Sequence, residues 1–491
     1  MRKDIGFISL IVLLGVAAGG AVWAGGGDEW VSLFDSKSLE GWRASENAGS
    51  FKVADGAILA DGPRAHLFYA GPVRGADFRN FELKAEVMSR PGANSGIYFH
   101  TRFQEKGWPA QGFEVQVNNT HVGEGDYRER KKTGSLYGVR NTYKTLVRDN
   151  EWFALHIAVR GKQVQVRVNG TLLVDYMEPN PLIREGDSAG QVIDHGTFAL
   201  QCHDPHSQVR FRNIRVKPLP DDLVTPVSAQ PVPDAIDREL ARMSRENYPV
   251  VDYHAHLKGD LSLEDALRES RRVGVQYGLA VNGGLGFPVT NDAGALAFLN
   301  SLEGQPVFAA LQGEGREWVT LFSKETIAKF DYVFTDAMTF TDDHGKRMRL
   351  WINSEVEVKD EQAFIEMYVD RILSVLNHEP IDIFVNPTFL PDVIAAEYGR
   401  LWTPERMKRV IDAAVKNGVA IEINNRYRIP SAAFIRMARA AGVKFTCGTN
   451  NSDRHLGRME YCLEMVKDCG LQWQDMWTPK PDGEKPVQRR R

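Results

Sequence analysis

From Trp30 to about Pro218, apolar and polar residues alternate with a period of two. Phe81, Leu83, Ala85 and Val87 interleave with Glu82, Lys84 and Glu86; Phe113, Val115 and Val117 interleave with Glu114 and Gln116. Val164, Val166 and Val168 do the same with Gln165 and Arg167. Successive side chains of an extended chain point to opposite faces, so each run predicts a strand buried on one side. Phe153, Leu155, Ile157 and Val159, and then Phe198, Leu200 and Cys202, predict further strands; Asp55-Gly56 and Asn169-Gly170 supply turns. No helical period intervenes, which predicts an all-β antiparallel sandwich or jelly roll over 28–218.

Five prolines then follow, at 218, 220, 226, 231 and 233, and with a short helix they form a linker over 219–247. Such a linker predicts semi-independent domains. Beyond it the pattern changes. Strand-like segments at 250–257, 277–282, 307–313, 331–336, 381–386, 420–424 and 444–448 alternate with amphipathic segments such as 263–273, 362–376, 404–416 and 431–441. This alternation, without hairpins, predicts a parallel sheet, and seven units predict a closed α/β barrel of (β/α)7 type over 248–478. A tail covers 479–491.

Composition changes this picture little. The 491 residues carry a net charge of −4 spread along the chain, and the one basic run is Arg489-Arg490-Arg491, so nucleic acid is not an expected partner. Arg2 and Lys3 precede an apolar run over 5–22 that ends at the small-residue site Val22-Trp23-Ala24. That order predicts a signal peptide over 1–24, a secreted or periplasmic protein, and no stable membrane insertion after cleavage; the alternative is an uncleaved anchor. Four cysteines (Cys202, Cys447, Cys462, Cys469) are too few for a disulfide framework in so long a chain, and mostly free, buried thiols are expected. Nothing in the pattern fixes the oligomeric state.

Candidate metal ligands gather at the predicted barrel strand ends. His254 and His256, two apart on a strand, share one face at roughly 6–7 Å, where a single ion can take both. Glu314, Glu422, Asp453 and His455 fall at or just beyond other strand ends, and His, Asp and Glu together suit zinc, manganese or iron. Asp252-Tyr253-His254-Ala255-His256-Leu257, Ile421-Glu422-Ile423-Asn424-Asn425 and the segment from Gly448 to Asp453-Arg454-His455 resemble the polymerase and histidinol phosphatase (PHP) family. The resemblance implies a distorted (β/α)7 barrel with up to three metal ions and phosphoesterase-like hydrolysis. The chain departs from that pattern at Asn386, where the family usually has a histidine, around Phe334-Thr335-Asp336, and in the stretched segment before Asp453. Arg426 and Arg428 are candidates for an anionic substrate, or plain surface charge.

The sandwich carries the second candidate chemistry. Glu82, Asn94, Tyr98, His100, Glu114, Gln116, Tyr137, Gln201 and His203 fall on polar strand faces, and such carboxylates, amides and aromatics suit polyhydroxylated ligands. Trp30–Asp35 with Leu39–Trp42, Asn94–Phe99, Gly112–Gln116, Thr133–Tyr137, Val168–Gly170 and Phe211–Ile214 occur in the order of the 3-keto-disaccharide hydrolase family, which this segment resembles. The resemblance implies a concanavalin-like jelly roll acting on glycosides oxidised at C3, by elimination and hydration, with no cofactor. That chemistry needs a base, a donor to the enolate oxygen and an acid for the leaving group. Glu114 is the first candidate for base or acid, followed by His100 and His203, with Tyr137 or Asn94 as donor. Glu82, Tyr98, Gln116 and Gln201 are candidate substrate contacts. Three readings follow: cooperating glycoside-processing and metal-dependent enzymes, a carbohydrate-binding sandwich tethering a PHP-type hydrolase, or a non-catalytic surface binding protein.

Overall fold

The computed structural model describes residues 29–489 apart from 124, 126, 185 and 342–344; the expected signal peptide lies outside the described residues. Period-two alternation in the first part produces two antiparallel sheets. The larger runs in the order Thr171–Met177, Gln163–Val168, Phe153–Arg160, Phe81–Ser89, Gln208–Pro218, Ala57–Asp61, Phe51–Ala54, with Val31–Ser32 beside Gln208–Pro218. The smaller runs Trp42–Ala44, Ala65–Tyr69, Thr197–Cys202, Asn94–Thr101, Phe113–Asn118. Their facing sides pack Phe81, Phe99, Phe113, Phe198, Ile157 and Val166 into one core.

Every residue of the strands Asn94–Thr101 and Phe113–Asn118 is buried, including those facing away from that core. Half-buried strands would expose their polar side. Here the segments after Thr101 and after Asn118 cover it, so the polar row becomes the floor of a pocket rather than open surface.

The second part forms a closed parallel barrel of seven strands: Val251–Ala255, Gln276–Gly283, Phe308–Gly313, Tyr332–Thr335, Ile383–Phe384, Ala420–Asn424 and Phe445–Gly448. Pairing of Asp252 with Cys447 closes the ring. Helices such as Leu263–Val273, Glu361–His378, Pro404–Asn417 and Ala432–Ala440 lie between strands in the chain. One small hairpin, Thr339–Thr341 with Arg347–Arg349, interrupts the alternation that predicted none. No helix among the described residues is long and apolar enough to cross a membrane.

Two expectations are corrected. Cys447 and Cys462 form a disulfide, with Cα atoms 5.7 Å apart, tying the last barrel strand to the helix Glu460–Asp468. The cysteine count says nothing of which thiols folding brings together, and here it brings the strand end to the helix; Cys202 and Cys469 are the buried free thiols. The two parts are also bound firmly together. Tyr143 donates its phenol to the Tyr248 carbonyl (3.0 Å) and its backbone N–H to Gln276 Oε1 (2.6 Å). Lys144 pairs with Asp331 at 2.8 Å, and Arg130 donates to the Trp473 carbonyl at 3.0 Å. The linker itself lies along the sandwich, with Lys162 N–H donating to Thr225 Oγ1 (2.8 Å) and Asn180 N–H to the Pro231 carbonyl (2.9 Å).

Candidate active site

The covered outer side of the smaller sheet holds a pocket of about 480 Å³, lined among others by Asn94, Tyr98, Glu114, Gln116, Gln201 and His203 from or beside the strands. Trp108, Tyr127, Glu129 and Tyr137 close it from the covering segments. Seven of the nine residues expected on the sugar face therefore meet in one place.

Glu114 lies at its floor. Oε2 accepts the Tyr98 phenol at 2.8 Å and Oε1 accepts Gln201 Nε2 at 3.1 Å. Burial, only partly opposed by the Tyr98 hydrogen bond, pushes its carboxyl up to about 8, so it is a neutral acid at pH 7. The neighbouring strand makes room for it with Gly96, where a Cβ would stand 2.2 Å from Glu114 Oε1. Beside it Gln116 Nε2 donates to Asn94 Oδ1 at 2.8 Å. The side-chain carbonyl oxygens of Gln116 and Gln201 are buried without a partner. Unpaired buried acceptors are costly, and a hydroxyl-bearing ligand would satisfy them.

His203 approaches from the end of Thr197–Cys202. Its Nδ1 meets Asp204 Oδ2 at 2.7 Å, and Asp204 also accepts Ser207 Oγ (2.8 Å) and the His206 N–H (2.8 Å). Burial alone would raise the Asp204 carboxyl, but these donors hold it below the usual range. A carboxylate on Nδ1–H leaves Nε2 as the basic nitrogen. On the opposite wall Glu129 Oε2 accepts the Tyr137 phenol at 3.0 Å and also the Tyr127 phenol. Lys131 lies beside them, its backbone N–H on Glu129 Oε1 at 2.8 Å and its ammonium 3.8 Å from the same oxygen. Burial and the adjacent Glu129 raise the Tyr137 phenol well above its ordinary value, so it stays a donor.

The structure does not bring Glu82 or His100 into this pocket. Glu82 belongs to the larger sheet, where it pairs with His156 (3.0 Å) and Arg160 (2.5 Å). His100 should share the face of Tyr98 by alternation, but its φ is +53° and the pairing opposite slips between Thr197 and Ala199. Its ring turns toward Phe81 and Phe99, Nε2 bonds to the Arg79 carbonyl at 2.9 Å, and burial lowers it to about 4. Sequence reasoning missed Glu129, Lys131, Trp108 and Asp204. Only Asp204 carried a readable signal, as the immediate neighbour of a candidate histidine.

In the barrel, His254 and His256 stand side by side with ring centroids 5.2 Å apart, and Glu422 Oε1 meets His254 Nδ1 at 2.6 Å. Both Nε2 atoms are buried without a partner. Glu314 receives Asn282 Nδ2 at 2.7 Å, and burial with neighbouring Asp336 raises its carboxyl. Asn386 donates to Asp336 Oδ2 at 2.9 Å from the place where a histidine was expected. Asp453 and His455 do not join this group. Their side chains are 61% and 85% exposed and bond to each other at 2.9 Å, because Asn451 turns inward instead to hold the backbone of His256. Arg428 pairs with Glu464 on the surface at 2.6 Å, and Arg426 lies over Tyr427. Among the described residues no three His, Cys, Asp or Glu side chains have the arrangement of an ion shell. The two unpartnered Nε2 atoms thus stand together beside Glu422, while Asp453 and His455 stand apart from them.

Comparison with known proteins gives a partial correspondence. Residues 29–217 match the family of the 3-keto-alpha-glucoside-1,2-lyase-like domain. No curated protein matches the chain. Two crystal structures from Parabacteroides distasonis, both described as candidate glycosyl hydrolases, are 21% and 24% identical, covering 39% of this chain and 94% and 100% of their own, with TM-scores of 0.33 and 0.32. A carbohydrate-binding module from Bacillus subtilis is 13% identical over 36% of this chain and 95% of its own, with a TM-score of 0.26.

Proposed function

We propose that the sandwich pocket cleaves glycosides oxidised at sugar C3, by elimination of the glycosidic oxygen followed by hydration. The C3 ketone acidifies the C2 proton. His203 Nε2, oriented by Asp204, removes it, and the electron pair moves onto the C3 oxygen as an enolate, to which Tyr137 turns its one O–H from Glu129 Oε2, which keeps the Tyr127 phenol. The enolate collapses with departure of the glycosidic oxygen from C1, and neutral Glu114 supplies that oxygen's proton. Water then adds to the resulting C1–C2 double bond, oxygen to C1 and hydrogen to C2, which completes net hydrolysis. One observation carries the reading: a carboxyl held neutral and a carboxylate-oriented imidazole line the same pocket. The match of 29–217 to a 3-keto-glucoside lyase-like family supports the same substrate class.

For the barrel we propose a hydrolase-like scaffold resembling PHP phosphoesterases, with His254 and His256 as the ligands offered to a zinc, manganese or iron ion. Their two unpartnered Nε2 atoms support this. The N-terminal charge and apolar pattern supports export. The first test incubates the full chain with a 3-keto-glucoside, with and without chelator, and follows aglycone release. Turnover unchanged by chelator is expected, since the pocket's acid and base are side chains. Chelator-sensitive turnover would overturn the assignment of the reaction to these groups, and no turnover with tight sugar binding would favour the tethering-module reading.

A further inference from the structure

Asn247 lies outside the segment that matches the lyase-like family, in the turn between the helix Ala235–Arg245 and the first barrel strand. Its Oδ1 nevertheless accepts the ammonium of Lys131 at 3.2 Å, and its Nδ2 donates to the carbonyl of Arg128. Lys131 has a side chain only 3% exposed. Its ammonium has three protons to place, and among the described residues the groups in contact with it include Asn247, the Glu129 carboxylate at 3.8 Å and the Tyr137 ring at 4.5 Å. Glu129 in turn holds the phenols of Tyr127 and Tyr137 at the pocket wall.

We propose that Asn247 is a positioning residue for the sugar pocket: it anchors Lys131, which fixes Glu129 and, through it, the Tyr137 phenol. The segment leading into the barrel thereby completes a site that the sandwich alone leaves one partner short. The inference rests on the elimination reading for its catalytic consequence, but not for the anchoring itself. Removing Asn247 strips a buried cation of a hydrogen bond, and Glu129 with Tyr137 then has no fixed counter-charge.

Asn247 has φ +66°, which glycine and aspartate both tolerate, so two full-length variants test the inference with little strain. Asn247→Gly is expected to lower kcat on a 3-keto-glucoside about tenfold with KM changed less than about twofold, the size expected for one charge-assisted hydrogen bond. Asn247→Asp keeps the acceptor for Lys131, gives up the donor to the Arg128 carbonyl, and is expected to keep most of the wild-type kcat. Labelling of Lys131 by an amine-reactive ester, followed by peptide mass spectrometry, should rise several-fold in Asn247→Gly and not in Asn247→Asp. Wild-type kcat and wild-type labelling in Asn247→Gly would overturn the inference. If the wild type itself turns over no 3-keto-glycoside, the proposed reaction fails, and the labelling contrast still decides whether Asn247 holds Lys131.

Discussion

Glu114→Gln is expected to lower kcat for aglycone release from a 3-keto-glucoside by about 10²–10⁴-fold, the usual worth of a positioned general acid. Glutamine fits the same space and keeps one oxygen to accept from Tyr98 or from Gln201 but not from both, so substrate binding should change little. Only the transferable proton is gone. Because burial pushes the carboxyl up to about 8, wild-type activity should fall as pH rises through about 8, and the variant's residual rate should lack that limb. Hydrogen exchange at C2 of the substrate, measured in deuterated buffer, should persist in the variant, since proton removal precedes departure of the leaving group. Full aglycone release by Glu114→Gln would sink the assignment. Stability carries the same signature. The folded carboxyl, near 8, lies above its unfolded value of 4.5, so the native state keeps a proton that the unfolded chain releases. The sign is therefore a stability contribution fully present below pH 4.5 and lost as pH rises through 8, at about 1.4 kcal/mol per unit within that window. In denaturant titrations across pH, Glu114→Gln should flatten that decline.

What the sequence made legible divides along physical lines. Strand alternation predicted the sandwich, and strand–helix alternation predicted seven parallel barrel strands, because burial on one or both faces writes itself directly into hydrophobic period. The same alternation placed Glu114, Gln116, Asn94 and Tyr98 on a shared face, and the pocket gathers them. It failed at His100, where a single left-handed residue and a slipped register turn the ring inward, and at Glu82, whose polar face belongs to the other sheet. Period two says which residues share a face of one strand, not which sheet that strand joins. Glu129, Lys131 and Asn247 were unreadable for a different reason. They sit on irregular segments whose placement depends on contacts with the second part of the chain, and no periodicity encodes those. In the barrel the strand-end rule found His254, His256, Glu314 and Glu422, all buried. It misplaced Asp453 and His455 because the long segment after the last strand turns its asparagines inward and these two out to solvent.

His203→Ala is the counterpart of the first variant and is expected to abolish both readouts together. Without the imidazole no other described group lining the pocket offers a base oriented by its own carboxylate, so C2 exchange and aglycone release should each fall by about 10²–10⁴-fold. That pattern separates base from acid: exchange survives loss of Glu114 and does not survive loss of His203. Asp204→Asn gives a graded version. The amide can present its N–H or its oxygen to Nδ1, so the ring is no longer compelled to carry its proton there and point a basic Nε2 at the sugar. Exchange should fall less than in His203→Ala, with KM little altered, because Asp204 is not itself in the pocket lining and bonds to the imidazole, Ser207 and the His206 N–H. Should His203→Ala exchange C2 hydrogen at the wild-type rate, the base lies elsewhere in the pocket. The Glu129 carboxylate with its two phenols would then be the group to replace next, and the Lys131–Asn247 contact would bear on proton removal rather than on enolate stabilisation.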